Sequence, residues 1–246
     1  MPCFHPLQAW QKCKGQQPVF KYVPGYRELT LPCGQCRGCR LERSRQWAVR
    51  CMHEKSMHEQ SCFLTLTFRD DCEPDLSKGH GHLYKYLQDF MKRYRARFPD
   101  HEMKMYMCFE YGEQFGRPHF HACIFGHDFD DKKHYKRTKH GDILYTSATL
   151  ESLWPHGFCP IGALTFESAA YVSRYVMKKQ TGKAADEHYT FIDPDTGEII
   201  RRPCEFNRMS NRPGIGAGWI DRFHSDVYPS DEVIVNGKPS KPPLLS

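Results

Sequence analysis

Arg117-Pro118-His119-Phe120-His121-Ala122-Cys123-Ile124-Phe125-Gly126 is the stretch around which the fold is built. Proline opens it, glycine closes it, and the residues between alternate as in a short strand. Period-2 geometry puts His119, His121, Cys123 and Phe125 on one face and Phe120, Ala122 and Ile124 on the other. Two imidazoles turned the same way on a rigid strand suit a divalent metal ion. The pair alone carries little weight: with 14 His in 246 residues, chance supplies roughly one His-x-His. His80-Gly81-His82 is a second such pair, in a Gly-rich loop with no strand around it, and takes no role.

Upstream, Met103 to Glu110 alternates weakly as a strand, and Tyr111 to Gly116 is a glycine-punctuated turn. The two strands are expected to form an antiparallel hairpin with Glu110 opposite the start of the His strand. A carboxylate there can join His119 and His121 in a two-His-one-carboxylate site, with Glu113 on the turn the lesser candidate. Ser61 to Phe68 is the clearest strand of the chain, rich in residues of high strand propensity. Residues 40–59 and Leu83 to Phe98 read as helices, the second with a buried stripe of Leu83, Leu87, Phe90, Met91, Tyr94 and Phe98. His127 to Gly141 reads as a hydrophilic loop, and residues 142–165 as short pieces around Trp154-Pro155-His156-Gly157.

Downstream, Glu167 to Lys179 reads as a helix. On a helical wheel Tyr171, Tyr175 and Lys178 fall within about 60° of one another, while Ala169, Val172 and Val176 form a separate apolar stripe. With the packing stripe already supplied, two phenols and a lysine share a face suited to phosphate chemistry. A phenol is a poor nucleophile unless nearby charge stabilises the phenolate, which a metal ion and a lysine provide. The product would be a phosphotyrosine ester that keeps the phosphodiester's energy for rejoining. Two tyrosines one turn apart allow a second cleavage while the first adduct persists.

The chain's 12 cysteines include Cys33-Gly34-Gln35-Cys36-Arg37-Gly38-Cys39. This spacing lets thiolates grip a structural Zn²⁺ from a tight turn, with Cys3, Cys13 or His5 open as the fourth ligand; ordinary reduced cysteines leading into a helix are the alternative. Hydrophobic content of 39%, 26% charged residues and no long apolar run point to a globular protein with no membrane partner. The opening Met1-Pro2-Cys3-Phe4-His5-Pro6 lacks the pattern of a signal peptide, so the cysteines read as reduced thiols in a cytoplasm. A formal charge of +6 and pI ≈ 8.7 favour a phosphate-bearing partner. Lys132, Lys133, Lys136 and Arg137, interleaved with His134 and Tyr135, are candidates to line a nucleic-acid groove; so are Arg201, Arg202, Arg208 and Arg212 for a DNA backbone. Solvated surface charge is the competing reading for both groups.

At these residues the chain resembles the HUH endonuclease superfamily, Rep class. Phe63-Leu64-Thr65-Leu66-Thr67-Phe68 resembles its first motif, His119-Phe120-His121 its histidine motif, and Tyr171-x-x-x-Tyr175-x-x-Lys178 its tyrosine motif. The two-tyrosine form resembles the initiator of small isometric single-stranded DNA phages. Pro32-Cys33-Gly34-Gln35-Cys36, Cys39 to Trp47, Cys3 to Pro6, Glu110 to Glu113 and Arg208 to Gly216 resemble the replication initiators of the gokushoviruses, a subfamily of the Microviridae. The resemblance spans about residues 3–220. It implies a rolling-circle initiator in the cytoplasm of a bacterial host, nicking single-stranded DNA at the viral origin with Mg²⁺ or Mn²⁺. Glu110 maps onto the third metal ligand, and the absence of a helicase motif implies a host helicase beside the host DNA polymerase.

The expected architecture is α+β: a central antiparallel sheet of about five strands flanked by helices, the His strand in the middle and the tyrosine helix beside it. The expected division is a Cys-rich segment over residues 1–40, the endonuclease domain over 41–220, and a Pro-rich C-terminal tail over 221–246, disordered from Lys238 to Ser246. Two alternatives stay open: a metal nuclease that uses water, and a non-catalytic zinc-dependent DNA-binding protein.

Overall fold

Alternation of apolar and polar residues in three consecutive strands builds the centre of the molecule. The computed structural model describes residues 3–112, 115–178, 183–192, 196–228, 230–235 and 237–243; the side chains of residues 175–178, 183, 184 and 191 lie outside that description. The chain runs β1 (Leu7–Gln11), β2 (Arg27–Leu31), α1 (Arg37–Lys55), β3 (Ser61–Thr67), α2 (Gly79–Arg97), β4 (Lys104–Tyr111), β5 (Pro118–Phe125), β6 (Lys133–Arg137), β7 (Ile143–Thr146), α3 (Ala148–Leu153) and β8 (Ile161–Gly162). It continues with α4 (Phe166–Lys178), α5 (Lys183–Tyr189), β9 (Thr190–Ile192), β10 (Ile199–Arg201), β11 (Phe206–Met209), α6 (Ala217–Val227), β12 (Val233–Val235) and β13 (Lys238–Ser240).

The main sheet is antiparallel in the order β11-β4-β5-β3-β8-β7-β6, and β5 lies in its interior, bonded to β4 on one side and β3 on the other. One face carries Leu64, Leu66, Met107, Phe109, Phe120, Ala122 and Ile124 and is covered by α2 through Leu83, Leu87, Phe90, Met91 and Tyr94. Trp154 completes this core, fully buried, with its indole N–H on the Thr67 carbonyl at 2.6 Å. Each such side chain contributes roughly 1.5–3 kcal/mol by leaving water. The other face carries Tyr106, Cys108, Cys123 and Phe125 and packs on α1 and α4 through Ala48, Cys51, Ala169 and Val172.

The sheet has seven described strands rather than about five. β6 lies where a hydrophilic loop is expected: all five of its residues are exposed, so no apolar alternation marks it, and pairing with β7 supplies the order. β11 is a short edge strand held by Phe206 opposite Phe109. His80-Gly81-His82 sits in the first turn of α2, which begins at Gly79, four residues before the apolar stripe. α6 runs through residue 220, and Lys238–Ser240, the start of the stretch expected to be disordered, pairs with Val233–Val235 as the β12–β13 hairpin. Val233 packs with Val49 and Val227, and the Arg45 guanidinium donates to the Ser240 hydroxyl at 2.7 Å and the Lys241 carbonyl at 3.0 Å. Proline content speaks for disorder, and three packed valines and one arginine overrule it.

A buried carboxylate ties these layers together. Glu54, 2% exposed, meets the Lys104 ammonium at 2.9 Å and His58 Nε2 at 2.8 Å, and accepts the Gly216 N–H at 2.7 Å. Burial alone would raise its carboxyl, but these partners hold it below the ordinary range. A lowered folded-state value stabilises the fold above the ordinary carboxylate range, about pH 4, and that stabilisation disappears as pH falls further. Glu54→Gln is therefore expected to cost roughly 3 kcal/mol at pH 7, with the gap to the parent closing below about pH 4. Urea unfolding of both proteins across that range checks it.

Candidate functional site

Strand register brings the histidines to the carboxylate. Glu110 pairs directly with His119 across β4 and β5, and His119 pairs with Thr67 across β5 and β3. His121, two residues on, shares the face. His119 Nε2 lies 2.7 Å and His121 Nε2 2.8 Å from the same oxygen, Glu110 Oε1. Glu110 is 1% exposed, His121 is buried and His119 partly so. Burial pushes the Glu110 carboxyl up, but the imidazoles outweigh it and hold the group below its ordinary value.

His119 Nδ1 lies 3.1 Å from the Arg117 carbonyl, which can only accept, so Nδ1 carries a proton and Nε2 faces the carboxylate. Turned this way, His119 Nε2 and Glu110 Oε1 are two donor atoms placed to share one cation. His121 is oriented by the Thr65 hydroxyl at 3.0 Å from its Nδ1 and by the Phe63 ring, stacked at 5.5 Å. Each imidazole thus has an outer partner and an inward nitrogen, the usual arrangement of metal-binding histidines. Glu110 Oε2 is buried with no hydrogen-bond partner among the described residues. The 2.7 and 2.8 Å separations are close to the roughly 3 Å edge of an octahedron with 2.1 Å bonds. These residues fit a divalent cation.

A third group reaches the same oxygen: the Tyr171 hydroxyl donates to Glu110 Oε1 at 3.2 Å, with its ring edge-on to His121 at 5.0 Å. Its position follows from how α4 starts and packs. Thr165 Oγ1 accepts the Ser168 N–H and Ser168 Oγ accepts the Thr165 N–H, a reciprocal cap that sets the helix entry. Ala169 and Val172 are fully buried, and Ser44 donates to the Ala170 carbonyl from α1. That stripe leaves Tyr171 on the rim, 37% exposed. Tyr175 and Lys178 belong to the same helix, but their side chains lie outside the described residues, as do Lys179 and Glu113.

Thr65, Phe63 and Arg117 were not singled out from sequence as site residues. The signal was present for two of them: β3 alternation puts Phe63 and Thr65 on the histidine face.

The N-terminal cysteines also converge. The sulfurs of Cys3, Cys33, Cys36 and Cys39 lie within 4.8 Å of one another, in an arrangement that could hold a metal ion. Cys36 Sγ is 3.8 Å from Cys3 Sγ, and Cys33 Sγ is 4.0 Å from Cys39 Sγ. Cys36 caps α1, and N–H groups of Phe4 and Cys39 point at its sulfur, pulling the thiol down to about 6. Cys39 moves the other way, raised first by burial and then by the Cys3 thiol. Cys13 stands exposed and apart.

The basic candidates do not form one patch. Lys133, Lys136 and Arg137 line exposed β6, while Lys132 is paired with Asp128 and lies over the Tyr145 ring. Arg201 pairs with Asp186 at 2.7 Å, and Arg202 lies over the Tyr111 ring. Arg208 pairs with Met107 in register, which puts it on the α2 face, away from the histidines, over Tyr84 and Phe206. Arg212 is exposed in the turn after β11.

The family model for replication-associated protein ORF2/G2P matches residues 61–180, from β3 to the end of α4. The chain is 30% identical over 242 residues to the replication-associated protein VP4 of Bdellovibrio phage phiMH2K, covering 96% of this chain and 72% of that protein. It is 32% identical over 260 residues to the replication-associated protein ORF2 of Spiroplasma virus 4, covering 96% and 75%. The replication-associated protein ORF4 of Chlamydia phage 1 is 31% identical over 166 residues, covering 64% and 41%. No solved structure matches.

Proposed function

The chain belongs to the family of replication-associated proteins of Microviridae phages, and on that footing we propose that it initiates rolling-circle replication by nicking single-stranded DNA at the viral origin. The observation that carries the reading is the meeting of Tyr171, His119 and His121 on one oxygen of Glu110. The donor set is two nitrogens and a carboxylate, suited to Mn²⁺ or Mg²⁺. When bound there, the ion would polarise the scissile phosphate and neutralise charge developing on it.

The chain's own residues do the rest. Glu110 stays ionised in a buried site because both imidazoles face it. Thr65 and the Arg117 carbonyl keep the rings from rotating. The Tyr171 hydroxyl is aimed at the cluster while the residue stays partly exposed, so a strand can reach it. The phenol loses its proton, its oxygen bonds to phosphorus, the bond from phosphorus to the 3′ oxygen breaks, and the departing 3′ oxygen takes up a proton, so that the phenol's proton is balanced by the one gained there. A 5′-phosphotyrosine and a free 3′-hydroxyl result, the latter a primer for the host DNA polymerase on a template opened by a host helicase. Tyr175, one turn on, is assigned the second cleavage that lets the strand rejoin as a circle, and Lys178 the charge near the phosphate.

Cys3, Cys33, Cys36 and Cys39 are assigned a structural Zn²⁺. Four sulfurs at 2.3 Å from zinc stand about 3.8 Å apart, close to the 3.8 and 4.0 Å seen here. Purified protein is expected to carry about one zinc per chain by elemental analysis, and Cys36→Ser to lose it with a lower melting temperature. Zinc at parent level in that variant contradicts the assignment.

The nicking chemistry is tested with fragments of the viral strand and Mn²⁺, looking for a protein–DNA species that survives denaturing electrophoresis. Tyr171→Phe together with Tyr175→Phe is expected to abolish both adduct and nicking, a loss of at least about 10³-fold. Continued cleavage by the double variant would mean a water nuclease. DNA retention by the parent protein with no cleavage would mean a binding protein only.

A further inference from the structure

Phe158 and Tyr135 are rings the cores do not use: 43% and 47% exposed, with centroids 5.0 Å apart. Single exposed aromatics mean little, so placement decides. Residues 156–160 continue the β8 register along β3. The N–H groups of Thr65, Thr67 and Arg69 donate to the carbonyls of Pro160, Phe158 and His156 at 3.1, 3.1 and 2.8 Å, in the alignment that pairs Leu64 with Ile161. Thr67 therefore faces Phe158 on one side and His119 on the other. Cys159 turns into the α2-side core, so alternation sends Phe158 to the opposite face, the face of the histidines. At about 4.8 Å per strand, Phe158 stands roughly 10 Å from His119 along the row Glu110, His119, Thr67, Phe158.

That position is rigid. The Thr67 hydroxyl donates to the Phe158 carbonyl at 2.7 Å, and a Cβ on Gly157 would sit 2.5 Å from the Thr67 carbonyl oxygen, so only glycine lets the segment lie this close. Tyr135 arrives from the other side, at the irregularity between His134 and Lys136 in β6, with the Lys136 ammonium 5.3 Å from its ring. Exposed Lys133 and Arg137 continue the positive edge. Rigid rings beside cations on an exposed ribbon are what stacked bases and a phosphate backbone require.

We propose that Tyr135 and Phe158 form a stacking platform for one or two bases of single-stranded DNA beside the scissile phosphate, with Lys133, Lys136 and Arg137 on the backbone. The inference rests on the nicking reading and deepens it: a base seated there sets which phosphate lies over Glu110, His119 and His121. The platform positions the strand and takes no part in the chemistry.

Binding of the full chain, without added divalent metal, to a thymidine oligonucleotide of about twenty nucleotides and to an abasic strand of equal length tests it. The parent protein is expected to prefer the base-bearing strand by about fivefold to a hundredfold. Y135A/F158A loses that preference and holds the abasic strand as the parent does, with an unchanged melting temperature; Y135F/F158Y keeps the preference. Lys136→Ala weakens both complexes alike. A double alanine variant that still prefers bases, or that loses both strands equally, overturns the platform, as does a parent protein without base preference. No cleavage enters this measurement, so a base preference in a protein that forms no covalent adduct would sink the nicking reading alone.

Discussion

A buried carboxylate that two imidazoles and a phenol approach together is the constraint on which the rest of the structure depends. Taking Glu110 out of water is costly unless its charge is matched, and the match comes from β5 across a single strand pairing. Register is what secures it. A slip of one residue between β4 and β5 would send both histidines into the α2-side core and Phe120 into the site. The apolar alternation of Phe120, Ala122 and Ile124 against Leu64, Leu66 and Phe109 therefore does two jobs: it packs a core and it aims the imidazoles.

The two layers divide the work. On the α2 side, large rings, with Trp154 among them, stiffen the sheet from below. On the other side α1 and α4 meet the sheet through small residues, Ala48, Ala169 and Val172, which let the helix carrying Tyr171 come close. Glu54 fastens α1 to β4 and to the start of α6, and the cysteine cluster leads directly into α1 through Cys36. The helix that presents the tyrosine thus leans on one whose two ends are each pinned.

The histidine hairpin was legible because both signals, alternation and a glycine-bracketed turn, act over a few residues. The tyrosine helix was legible for the same reason, since Ala169 and Val172 define the buried side and leave Tyr171 the other. Cys3 was one of three candidates for the fourth ligand, beside Cys13 and His5; contact over thirty residues is set by tertiary folding and has no local signature. β6 and β11 were illegible for a related reason. An edge strand buries little, so its sequence need not alternate, and the partner's hydrogen bonds supply its order. Order at Lys238–Ser240 has no local signal among the prolines, because it comes from pairing with Val233–Val235, and Val233 is anchored on α1 and α6.

Manganese bound to the protein provides the sharpest test of the shared oxygen. Pulsed electron paramagnetic resonance of one Mn²⁺ equivalent should show nitrogen couplings from two imidazoles, reduced to one in His119→Ala or in His121→Ala. In Glu110→Ala the ion should bind at least about tenfold more weakly. A manganese signal without nitrogen couplings, or one indifferent to these three substitutions, would contradict a metal centre at Glu110 and the account built on it.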